Sequence, residues 1–253
     1  MILDEIVRST GERLAGLEAF PAFDPGALPH QSLLEAIRAC RGEKNAIIAE
    51  VKYASPSRGR IHEGCTPEAI AREFAAAGAA GLSVLTEPNY FGGSIENLVR
   101  VRRAVSVPIL RKDFIIDERQ LVETRAIGAD AVLLIVRVLG DRLPAFVDAA
   151  LALGLEPLVE VHNRSEMEQA LATEASLIGI NNRNLETMTI DLSTTVRLAE
   201  AARDERRTVV SESGILWPYD VRSLARHCDA FLIGSALMSA RDRRKRLEGF
   251  VFA

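Results

Sequence analysis

The sequence predicts an α/β protein, a single (β/α)8 TIM barrel with extra N-terminal helices, and three observations carry that expectation. Eight short apolar runs recur between residues 46 and 235. The segments between them place apolar residues at three- and four-residue spacing and end in glycine, as amphipathic helices do. No run is followed by the G-x-G-x-x-G turn of an open doubly wound sheet, which ranks second. A chain of 253 residues also fits one barrel domain, which typically needs ~250. The expected organisation is one domain over residues 1–253, with residues 1–45 as a helical extension packing on one end of the barrel.

In chain order, that extension holds charged amphipathic stretches at 3–18 and 31–38. The strand candidates are AIIAEVK (46–52), GLSVLTE (81–87), VPILRK (107–112), DAVLLIV (130–136), EPLVEV (156–161), SLIGINN (176–182), TVVSES (208–213) and DAFLIGS (229–235). Between them, PEAIAREFAAAG (67–78), DERQLVETRAIG (117–128) and LPAFVDAALALG (143–154) read as helices. Strands alternating with helices imply parallel pairing through right-handed crossovers. Runs this apolar are expected to be covered on both faces. GAAGLSVL, GADAVLLI and HCDAFLIG form a partial repeat, each setting a small residue after a helix and just before a strand.

Composition narrows the function. Hydrophobic residues make up 48% and charged residues 26%, values suited to a sizeable core. The net charge of −4 argues against nucleic-acid and anionic-membrane partners, since either needs a basic face. Any anionic ligand must therefore be held by local groups. Three widely spaced cysteines point to a reducing compartment, and no Cys or His spacing suggests a metal. The N-terminus lacks a signal-peptide apolar core and no run approaches ~18 apolar residues, so a cytoplasmic location is expected.

Only four of the 31 basic residues are lysine, and two of these, Lys52 and Lys112, sit in or beside apolar runs. Lysine is compact and releases its proton in an accessible range, so its retention there hints at chemistry. Glu50 and Lys52 fall two residues apart on one strand face. At the C-terminal end of a barrel strand, residues i and i+2 both point into the mouth, where such enzymes react. The same test finds Lys112, Glu160, Asn181, and Glu212 with Ser213 at four other strand ends. One such charge is ordinarily a solvated rim position, but five strands converging with two lysines, three glutamates and an amide describe a site. The last two strands finish in S-G-I (213–215) and G-S-A-L (234–237), where glycine lets backbone N–H groups approach an anion. The bland alternative is a pair of tight turns; their place after the seventh and eighth strands favours phosphate.

From residue 45 to 240 the ordered motifs IIAEVKYASPS, GLSVLTE, YFGGS, PILRKDFI, GADAVLLIV, EPLVEV, IGINNRNL, VSESGI and FLIGSALM resemble the indole-3-glycerol-phosphate synthase family of tryptophan biosynthesis. That resemblance implies a carboxy-lyase closing 1-(2-carboxyphenylamino)-1-deoxyribulose 5-phosphate to an indole with loss of carbon dioxide and water. It needs no metal or cofactor; the implied partner is this small phosphorylated substrate, and association with other tryptophan-pathway enzymes is left open. By the same resemblance Lys112 is the general acid, Glu160 a second acid/base group and Lys52 the holder of the substrate carboxylate with a further part in dehydration. Glu50, Asn181 and Glu212 orient the lysines and the ribulose hydroxyls. Phe91 and Phe114 wall the aromatic ring, Arg183 and Ser213 contact substrate, and Ser55, Gly214, Gly234 and Ser235 hold the phosphate. Tyr53 and Asn184 depart from the basic and acidic residues frequent there. The residues alone also leave open a phosphoribosylanthranilate isomerase, a Schiff-base aldolase and a phosphosugar-binding subunit without turnover.

Overall fold

A computed structural model describes residues 2–15, 30–55, 59–60, 64–204 and 207–253, with Ser55, Arg60 and Asp204 described by their backbone only. Eight parallel strands close into a barrel: β1 (Ala46–Val51), β2 (Gly81–Leu85), β3 (Ile109–Lys112), β4 (Ala131–Ile135), β5 (Glu156–Val161), β6 (Leu177–Asn181), β7 (Thr208–Glu212) and β8 (Ala230–Ile233). Each coincides with an apolar run read from the sequence. Each neighbours its successor, and β8 returns to β1 through Ala46↔Ala230 and Ala49↔Ile233.

Alternation along each strand divides the core in two. Ile47, Ala49 and Val51 face outward and join the layer between sheet and helices. Ala46 and Ile48 face inward with Leu110, Leu133, Leu158, Leu177, Val210 and Leu232, filling the barrel axis. The helices Pro67–Ala76, Ile95–Ala104, Leu143–Ala152 and Ser193–Asp204 bury one face each against the outer layer. Among the described residues no helix is long and apolar enough to cross a membrane.

The two N-terminal helices do not share one end, contrary to the expectation from sequence. Helix Ile2–Ala15 lies over the C-terminal mouth, where Ile2, Leu3 and Ile6 line the cavity. Helix Leu33–Ala39 plugs the opposite end: Leu33 and Ile37 are fully buried against the inner cluster. Its N-terminus is fixed to the start of β5, where Glu156 accepts from the Leu33 and Leu34 amides at 2.7 and 3.0 Å and from Ser32 Oγ at 2.5 Å. Helical periodicity gives a helix its apolar face but not the surface that face covers.

The strand bearing Lys112 is anchored from behind. Arg111, the neighbouring residue, points outward and is fully buried, with its guanidinium 3.0 Å from Asp113 and 2.8 Å from Glu123. It also donates to Gln120 O and Thr124 Oγ1 on helix Arg119–Ala126 and to Thr86 Oγ1 beyond β2. Removing one member of such a network strands the remaining charges in a medium that solvates them poorly. Arg111→Met should therefore lower stability by about 3–5 kcal/mol; guanidinium chloride unfolding would measure this, and a loss under ~1 kcal/mol would mean that the network rearranges freely.

Candidate active site

The barrel mouth holds one cavity that gathers residues from both N-terminal helix and strand ends. Glu50 of β1 and Lys52 just past its end, Lys112 of β3, Glu160 of β5, Asn181 of β6 and Glu212 of β7 all line this cavity. Lys52 Nζ lies 2.5 Å from Glu50 Oε1. Lys112 Nζ donates to Glu212 Oε2 at 2.5 Å and lies 3.7 Å from Glu160 Oε2. Because β5 pairs with β6 at Glu160↔Gly179, Asn181 stands one inward step above Glu160, and its Nδ2 donates to Glu160 Oε1 at 3.1 Å. All three carboxylates are buried, while Lys52 and Lys112 keep 14% and 17% of their side chains exposed, enough for a bound molecule to reach them.

Burial would push Glu50 upward, but Lys52 and Lys112 outweigh it and hold the carboxyl below its usual range. Glu160 is likewise held down, to about 2, because His162, Lys112 and Asn181 overcome the burial. Burial would strip the proton from Lys112, yet Glu212, Glu160 and Glu50 hold the ammonium above its ordinary range. Glu212 differs: burial, reinforced by Glu160 and Glu50, wins over Lys112 and pushes it up to about 7. Three carboxylates face two ammonium groups, and the excess negative charge is least tolerated on Glu212.

The walls are apolar on one side and glycine-rich on the other. Phe91 and Phe114 line the cavity with ring centroids 6.1 Å apart, and Arg183 faces it from the loop after β6. The Arg183 amide donates to Asn181 Oδ1 at 3.0 Å and its guanidinium to Met188 O at 3.1 Å, so this loop is braced at both ends. Ser213 and Gly214 both take left-handed backbone conformations, at φ 66° and 84°, and line the cavity with Gly234 and Ser235. The side chain of Ser55 lies outside the described residues; its backbone pairs with Gly59 in a two-residue ladder.

Four features of the site were not read from the sequence. Gly179 is one: a Cβ there would fall on Glu212 Oε1, so the carboxylate occupies the space of the missing side chain. A lone glycine inside an apolar strand is the sequence signal for such an approach. His162 is another, lying 3.3 Å from Glu160 Oε1. The third is the loop segment of Leu185, Met188 and Ile190, and the fourth is the lid residues of helix Ile2–Ala15.

Comparison with known proteins decides the family. The indole-3-glycerol phosphate synthase family model matches residues 6–250. The chain belongs to the indole-3-glycerol phosphate synthase family, carboxy-lyases of tryptophan biosynthesis. It is 44% identical to the indole-3-glycerol phosphate synthase of Burkholderia ambifaria, with 99% of each chain covered. It is 50% identical to that of Bordetella pertussis over 79% of this chain and 76% of the relative. The tryptophan synthase alpha chain of Legionella pneumophila shares the fold alone, with a TM-score of 0.63 at 10% identity, covering 86% of this chain and 95% of that one.

Gly234 offers a direct test of the geometry. Its φ of −119° suits any residue, yet a Cβ would fall on Glu50 Oε1 and press Lys52 Nζ. Gly234, expected from the sequence to serve a phosphate, is the space that the Glu50–Lys52 pair fills. Gly234→Ala should thus fold normally but lower kcat/KM by about 10²-fold, with kcat falling as well as KM rising. Steady-state kinetics would show it, and a change confined to KM would leave Gly234 a phosphate contact only.

Proposed function

We propose that this cavity binds 1-(2-carboxyphenylamino)-1-deoxyribulose 5-phosphate and converts it to indole-3-glycerol phosphate, with Lys112 as general acid. The observation that carries the assignment is the placement of the Lys112 ammonium between Glu212 and Glu160, beside the Phe91–Phe114 wall. The aromatic carbon that bears the carboxylate attacks the ketone carbon. As the new carbon–carbon bond forms, the carbonyl π electrons pass to oxygen, and Lys112 delivers a proton to that developing alkoxide. Carbon dioxide then leaves, and its bonding pair restores the ring. Finally Lys52, freed of the departed carboxylate, protonates the hydroxyl; the nitrogen lone pair, relayed through the aromatic ring, expels it as water, and Glu160 takes a proton from the adjacent methylene to complete the pyrrole.

The residues divide this work by position. Lys112, held protonated by its carboxylates, presents a donor across the neutral range. Glu160, held ionised, suits the proton-accepting step. Lys52 offers its exposed ammonium to the substrate carboxylate while Glu50 keeps it in place. Arg183 and the Ser213–Gly214 and Gly234–Ser235 turns supply the phosphate end, and Ser55 belongs to the same assignment. The family chemistry asks for no metal or organic cofactor, because the electron push comes from the substrate nitrogen.

The experiment is to add the carboxyphenylamino-deoxyribulose phosphate without metal and follow indole absorbance. Lys112→Arg should be nearly as inactive as Lys112→Ala, since arginine releases its proton only above ~12 and its planar fork is larger than an ammonium. Circular dichroism confirms the fold; substantial turnover in the arginine variant would reduce Lys112 to an electrostatic anchor. Glu160→Gln keeps shape and hydrogen-bonding capacity but cannot exchange a proton, so kcat should drop by roughly 10²–10⁴-fold. Turnover close to that of the unaltered protein would move Glu160 into the scaffold.

A further inference from the structure

His162 follows Glu160 by two residues and so projects from the same face of the barrel wall. Its side chain is 8% exposed and lies between two carboxylates. Nε2 is 3.3 Å from Glu160 Oε1, and Nδ1 is 3.0 Å from Glu166 Oε2. Nδ1 hydrogen-bonds Glu166, whereas Nε2 makes no hydrogen bond and faces Glu160 Oε1 at ion-pair distance; a ring held between two carboxylates favours the imidazolium over the neutral form. Glu166 is itself fixed in the first turn of helix Arg164–Leu171. It accepts from the His162 amide at 2.8 Å and from Asn163 Nδ2 at 2.8 Å, while Asn163 caps the Glu166 amide.

We propose that His162, braced by Glu166, is a positioning residue for Glu160: its charge faces Oε1, to which Asn181 donates, keeps the carboxylate ionised, and leaves Oε2 to face the substrate. This rests on the reading of Glu160 as the base. The geometry divides the two oxygens of Glu160 cleanly, with Oε1 taking the Asn181 and His162 contacts and Oε2 turned toward Lys112. The other charges around the group are Lys112 from β3, Glu212 from β7 and Glu50 from β1 on the Glu160 side, and Arg137, paired with Glu186, beyond Glu166. Burial would favour neutral imidazole, but Glu160 and Glu166 together push His162 up to about 9. The cation is therefore present throughout the neutral range and is lost as pH rises past that value. Losing it by titration or substitution raises the Glu160 pKa, because burial then acts with less opposition.

The test combines kinetics and spectroscopy on the whole chain. Histidine ring resonances are titrated in the unaltered protein and in Glu166→Gln, with His162→Asn assigning the His162 signal among the four histidines of the sequence. Turnover is followed from acid to alkaline pH in the same proteins and in Glu160→Gln. His162 should remain protonated well above its ordinary range of ~6.5, and Glu166→Gln should lower its midpoint by about one unit or more. His162→Asn should move the acidic limb of kcat upward by about one unit or more, a loss of about tenfold in kcat below that limb, with KM little changed. If His162→Asn folds poorly, Glu166→Gln should give the same direction of change. A His162 midpoint near ~6.5, or an unshifted kcat profile in folded variants, overturns the positioning role. An active Glu160→Gln instead overturns the base assignment, and the histidine titration tells the two failures apart.

Discussion

Everything at the mouth of this barrel depends on one electrostatic constraint: three buried carboxylates share the space with two ammonium groups. Carboxylates removed from water are tolerated when cations and donors replace the lost solvent. Here the replacements are specific. Glu50 has Lys52, Glu160 has Asn181, His162 and Lys112, and Glu212 has Lys112. Lys112 is thus counted twice, and the shortfall appears where burial is least offset, on Glu212, which is pushed up to about 7. The ammonium that the chemistry needs and the carboxylates that surround it are consequences of the same shared deficit.

Parallel barrel geometry makes such a cluster attainable without loops to hold it. The register Asn181↔Glu212 and Glu160↔Gly179 sets the charged residues at neighbouring strand ends, and each strand is locked by its outward residues into the helical layer. Arg111 does this for β3 with an ion-pair network in place of apolar packing, so that Lys112 is fixed through the backbone immediately next to a buried anchor. Space for the carboxylates comes from absent side chains: Glu212 fills the position of a Gly179 side chain and Glu50 that of a Gly234 side chain. Helix Ile2–Ala15 then covers the mouth with Ile2, Leu3 and Ile6, which lowers the local dielectric and strengthens every pair beneath it.

The fold was legible because parallel strands covered on both faces are continuous apolar runs, and the breaks in those runs were the site. Glu50 and Lys52 could be read as mouth residues since a two-residue spacing on one strand fixes their common face. The remainder depends on information that sequence spacing does not carry. His162 stands past the end of β5, where a polar residue is ordinarily solvated, and only the turn of the following helix brings Glu166 back against it. Helices Ile2–Ala15 and Leu33–Ala39 show similar amphipathic patterns yet close opposite ends of the barrel, a choice set by which partner residues the closed sheet presents. The left-handed conformation of Ser213 leaves no mark in the sequence, because a non-glycine residue gives no warning of a positive φ.

Asn184 and Tyr53, where the resemblance read from the sequence implied an acidic and a basic residue, both serve the local architecture. Asn184 Oδ1 accepts from the Glu186 and Thr187 amides at 2.8 and 3.1 Å, bonds that an aspartate at the same position would also accept. The loop after β6 therefore keeps its turn without placing a negative charge next to Arg183. The Tyr53 hydroxyl donates to Cys65 O at 3.1 Å, tying the end of β1 to the approach of helix Pro67–Ala76. Among the described residues lining the cavity the cations are Lys52, Lys112 and Arg183, so in a chain whose net charge is −4 these local groups set the attraction for an anion.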